Sequence, residues 1–120
     1  MKLELTFLIW KNPSNGQVFC YCAETYSQNV KRVYDEAAAI ESCIKHVRWE
    51  LAGRLSCQNL QSRGWRISEI ELIPPPINES EAIANKLKSA DLWGYGYVPE
   101  ISCQKLEIEV PEPGTEIILI

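Results

Sequence analysis

The rhythm of hydrophobic and polar residues changes several times along the chain, and each change marks an element. Over residues 2–11, Leu3, Leu5, Phe7 and Ile9 alternate with Lys2, Glu4 and Thr6, the period-two pattern of a strand with one buried face. Leu8 and Trp10 interrupt the polar side, so that face is expected to be covered near the strand's end. Pro13-Ser14-Asn15-Gly16 comes next, and Asn-Gly supplies the positive φ angles of a tight hairpin. Residues 17–26 are then expected to return as a second strand. Ser27-Gln28-Asn29 predicts another turn, and residues 30–34 either a short third strand or a lead-in to a helix.

From Asp35 to Gly64 the period lengthens. Ile40, Ile44, Val47, Leu51 and Leu55 recur at helical spacing, which keeps them on one face of a single long helix. Asp35 is placed to cap it, Glu36 complements the positive end of the dipole, and Ala37 to Ala39 are cheap to fix in helical form. Gly64 suits a left-handed C′ position. Gly53, inside, costs about 1 kcal/mol against alanine and marks a break or a close contact. Such a helix is about 40 Å long, more than an average strand covers, so its end is expected to project or to meet another subunit.

After Gly64, residues 65–73 read as a strand whose apolar phase slips near Glu69, as a bulge would cause, and Pro74-Pro75-Pro76 ends it. Asn78 caps a second helix, with Glu81 in the capping-box position and Ile83, Leu87 and Ala90 as its buried stripe. Leu106, Ile108 and Val110 alternate with Lys105, Glu107 and Glu109 in a late strand. Residues 111–114 turn the chain, and the apolar end 116–120 is expected to pair as a strand, within the monomer or across a dimer. The order β-β-α-β-α-β predicts an α+β fold over 1–120 as one domain, its sheet mostly antiparallel with the long helix across one face.

Composition narrows the functions. At 120 residues the chain can bury a core without disulfides or metal. Twelve basic against sixteen acidic residues leave a net charge of −4, which argues against nucleic acid as a partner. No apolar run nears the ~20 residues of a membrane helix, so no membrane role is expected. The early Glu4 speaks for a strand rather than a signal peptide. Five cysteines without framework spacing fit reduced thiols and a cytoplasmic location.

Cys20 and Cys22 point to one face of a strand, and Cys43 and His46 stand at i, i+3 on the helix. Together they form a candidate thiolate or metal site. Their regular, apolar elements favour the reading of cysteines as small core hydrophobes. Cys43 and His46, with Glu50 one turn on, also make a nucleophile–base–orienter candidate. Trp93-Gly94-Tyr95-Gly96-Tyr97 joins large rings to a pliable backbone. Trp93, Tyr95 and Tyr97 are therefore candidate binding residues, and so is Trp49, which lies off the helix's apolar stripe. No glycine-rich phosphate loop, nucleophile elbow or EF-hand is present. Asp35 and Asp91 are the only aspartates, so magnesium-dependent chemistry is disfavoured and no cofactor is expected.

The hairpin followed by Asp35-Glu36-Ala37 and a helix resembles the partial-barrel antitoxins of the HicB type over about a third of the chain, a likeness at fold level. The resemblance implies binding to a partner protein. The chain lacks that family's glycine- and proline-rich third-strand segment and a separate DNA-binding tail. The residues themselves point to a small cytoplasmic, non-catalytic interaction or regulatory protein that forms a homo-oligomer. Alternatives are an antitoxin-like binder of a protein partner, or a thiol or metal site.

Overall fold

The computed structural model describes residues 1–52, 57–68, 71–92 and 99–110. The elements run β1 (Lys2–Lys11), β2 (Val18–Cys22), β3 (Ser27–Gln28), α1 (Glu36–Ala52), α2 (Cys57–Ser62), β4 (Arg66–Ile67), β5 (Leu72–Ile73), α3 (Glu79–Leu92) and β6 (Ser102–Glu109). This is the expected α+β class, with an antiparallel sheet in the order β3-β2-β1-β6.

β1 is an inner strand, and this explains its composition. It pairs with β2 from Phe7↔Cys22 to Lys11↔Val18, and with β6 from Lys2↔Glu109 to Ile9↔Ser102. Leu5 through Trp10 are all buried. The apolar face carries Leu3, Leu5, Phe7 and Ile9 into the core with Cys20 and Cys22, while Leu8 and Trp10 are covered on the other face, as their break in the alternation predicts.

The hairpin is looser than Asn-Gly suggests. Between the paired ends Lys11 and Val18 the chain takes a longer loop, closed by Asn12 N–H to the Gln17 carbonyl at 2.8 Å. Asn12 and Asn15 side chains accept the N–H groups of Ser14 and Gln17, and only Gly16 adopts a positive φ there. β2 ends at Cys22 rather than at 26. The turn falls on residues 23–26, and Ser27–Gln28, expected as a turn, is the short edge strand β3. In place of a third strand over 30–34 there is one bridge, Val33 to Val18.

Asp35 caps α1 as expected, its Oδ1 accepting the Ala38 N–H at 2.8 Å. α1 buries Ala39, Cys43, Val47 and Leu51 with Ser42. The predicted Ile40 and Ile44 sit on the flank of that stripe, partly buried against the core, because Cys43 rather than an isoleucine centres the contact with β2 and β3. Leu55 lies outside the described residues. The expected single helix is described as two stretches, α1 and α2. α2 closes as predicted: Gly64 has φ +89° and the Trp65 N–H reaches the Leu60 carbonyl at 3.0 Å.

The single strand expected over 65–73 is instead two short ones: β4 and β5 pair antiparallel, Ile67↔Leu72, and the Ser68 N–H reaches the Glu71 carbonyl at 2.9 Å. Glu69, where a bulge was expected, lies outside the described residues. Asn78 caps α3, accepting the Glu81 N–H at 3.1 Å. Ile83 and Leu87 are half-buried. Lys86 of α3 reaches across the second sheet face, with Nζ 3.4 Å from the ring centre of Tyr21 and 5.8 Å from that of Trp10. Among the described residues no helix is long and apolar enough to cross a membrane. The C-terminal strand expected at 116–120 lies outside the described residues.

Candidate functional site

The alternation of β2 fixes where its chemistry goes. Cys20 and Cys22 point toward α1, whose Cys43 is also fully buried. The Cys43 thiol donates to the Ser27 carbonyl at 3.7 Å. A hydrogen bond with Cys20, together with burial, raises its pKa far above the ordinary thiol range. Burial, then the nearby Glu24, pushes Cys22 up to about 12. Thiols held protonated are poor nucleophiles and poor metal ligands.

His46 turns away from them. Its Nε2 lies 3.1 Å from Glu50 Oε1, and its Nδ1 3.1 Å from the Gln28 N–H. The Gln28 carbonyl lies 3.0 Å from the same Nδ1, so the tautomer decides whether that nitrogen accepts from the Gln28 N–H or donates to the Gln28 carbonyl. Cys20, Cys22, Cys43 and His46 are thus not gathered into one ligand set. Among the described residues no group of three or more His, Cys, Asp or Glu side chains could hold a metal ion. Glu50 does orient His46, as the triad reading expected, but Cys43 bonds to the β3 backbone instead.

From Glu50 a chain of contacts leads outward. Glu50 Oε2 stands 3.6 Å from Arg63 Nη1, the same nitrogen donates to the Thr25 carbonyl at 2.9 Å, and the guanidinium lies over the Tyr26 ring at 4.7 Å. Tyr26 has φ +59°, an uncommon conformation for a residue with a bulky side chain. On the other side of Glu50, beyond His46, Trp49 is 55 % exposed, its indole tilted beside the His46 ring at 6.0 Å.

Arg63 and Tyr26 border a cleft of about 360 Å³, which Tyr21, Pro75, Asn78, Asn85 and Lys86 also line. Burial lowers the Lys86 pKa, and burial followed by the neighbouring Tyr26 and Cys22 raises that of Tyr21. A second cleft, of about 600 Å³, is acidic, with Asp35, Glu36 and Glu100 beside Trp10 and Tyr34.

Of the predicted site residues, Trp49 lies on α1 outside its buried stripe and is exposed. Trp93, Tyr95 and Tyr97 lie outside the described residues. Sequence reasoning missed Tyr21, Tyr26, Arg63 and Lys86, which lie in four separate segments. The available signal was Tyr21 alternating with Cys20 and Cys22, a polar-tipped ring on the face opposite the thiols. Comparison with protein families, with curated proteins and with solved structures finds no match to this chain.

Proposed function

We propose that this is a non-catalytic interaction protein, acting in the cytoplasm, that self-associates through the outer face of α1. The observation that carries the reading is Trp49, a large ring left 55 % exposed on a helix whose opposite side is fully packed. Exposed aromatics of this kind are enriched at the centres of protein contacts.

The surroundings of Trp49 suit a second copy. One turn back stands Lys45, paired with Glu41 at 3.8 Å. Both line a shallow groove that includes Val30, itself 72 % exposed. A two-fold axis across this face would set Lys45 of each copy against Glu41 of the other, with Val30 and Trp49 as apolar flanks. Such self-complementarity is what an isologous contact needs. The protonated thiols and the fully engaged His46 give the reading further support, since neither is poised for nucleophilic or acid–base work.

Light scattering on a sizing column tests it. Twice the chain mass at micromolar concentration, reverting to the single-chain mass in Trp49→Glu with an unchanged circular dichroism spectrum, is the expected result. A single-chain mass for the unaltered protein up to about 100 μM, weaker than any functional dimer of this kind, would remove the reading.

A further inference from the structure

The cleft beside α3 lies on the sheet face opposite α1, away from the contact surface around Trp49. Its walls come from separate parts of the chain: Tyr21 from β2, Tyr26 from the turn before β3, Arg63 from the end of α2, Pro75 from the proline segment, and Asn78 and Lys86 from α3. Two cationic groups open onto one concavity, and among the described residues Glu81 is the carboxylate that lines it with them.

Each cation is held in place. Arg63 is fixed by the Thr25 carbonyl and Glu50, both through Nη1. Among the described residues the rest of its five-donor fork makes no hydrogen bond, and the Tyr26 ring backs the guanidinium plane. That ring is presented by a backbone at φ +59°, a conformation a bulky residue adopts only against a steric cost. Lys86 is drawn over the Tyr21 ring at 3.4 Å, which sets its ammonium on the α3 wall of the cleft. The capped N-terminus of the 14-residue α3, at Asn78, adds positive potential at the same wall.

We propose that this cleft binds a small organic anion whose carboxylate or phosphate head is held between Arg63 and Lys86. The arrangement suits that chemistry because a planar, pre-positioned guanidinium and an ammonium recognise both head groups through charge-assisted hydrogen bonds. At about 360 Å³ the cleft also has room for an organic body beyond the head, in the lower range of small-molecule sites.

NMR of the full chain, 15N-labelled, tests this with three probes that share one ring: phenyl phosphate, benzoate and uncharged benzyl alcohol. Saturable shifts are expected at the amides of residues 21–26, 63 and 78–89 with at least one anion, at a Kd of about 1 mM or tighter. Benzyl alcohol should leave them unchanged, and the better anion names the head group. Lys86→Met, which keeps the apolar stem and removes the ammonium, should weaken binding at least about tenfold. Lys86→Gln serves as a second variant should the methionine disturb the spectrum elsewhere. Linear, unsaturated shifts with both anions up to about 10 mM would overturn the proposal. So would an equal response to benzyl alcohol, or wild-type affinity in a folded Lys86 variant.

Discussion

At Glu24 a side chain takes over from the backbone. The Thr6 N–H points at both carboxylate oxygens, 2.8 and 2.9 Å away, while the Thr6 carbonyl accepts the Ala23 N–H at 3.0 Å. The β1–β2 ladder thereby continues past Cys22, and Thr6, polar in the sequence, is buried without loss of its hydrogen bond. Glu24 itself is 3 % exposed, and burial raises its pKa above 4.5 against the opposing pull of the Thr6 N–H. The folded state therefore takes up a proton more readily than the unfolded chain. From pH 4.5 to the raised folded value, this group makes stability fall as pH rises; above that value its cost stays constant. Glu24→Gln can keep the Thr6 hydrogen bond without the charge. Its unfolding free energy, measured by denaturant titration in steps from pH 4.5 upward, should fall less steeply with pH than that of the unaltered protein. Parallel curves would show that Glu24 titrates normally in the fold.

Elements whose signals are local were legible in the sequence, and those set by distant partners were not. Asp35, Asn78 and Gly64 act within one turn, and all three appear where the pattern put them. Gly64 also shows what tertiary packing adds, because a Cβ there would meet Pro75 Cβ at 3.0 Å. Gly64→Ala combines a left-handed backbone with that contact, so a loss of about 1–2 kcal/mol in denaturant unfolding is expected. A change near zero would mean that the turn after α2 relaxes freely. By contrast, the ends of β2 and the identity of β3 depend on what Tyr21 and Cys22 pair with, and no local spacing encodes that. The rotation of the α1 stripe toward Cys43 likewise follows from the small residues it meets on β2. For the same reason the place of Trp49 off the α1 stripe was legible, whereas the cleft of Tyr21, Tyr26, Arg63 and Lys86 was not: it exists only once α2, the proline segment and α3 are folded around β2.

For the molecule as a whole, self-association would make stability depend on concentration. If α1 forms the proposed contact, Tm should rise as protein concentration is raised, by mass action. Trp49→Glu should flatten that dependence and shift any residual tryptophan emission change away from α1. A concentration-independent Tm in the unaltered protein would count against the contact. The sheet carries a consequence of a different kind. Its inner strand, Lys2–Lys11, is flanked on one side by β6, and the Met1 ammonium binds Glu109, 108 positions away. During synthesis this apolar ribbon thus leaves the ribosome well before the neighbour that covers its flank, which lies roughly a hundred residues downstream. Until then one rim of it stays bare, an invitation to aggregation that falls to chaperones to guard.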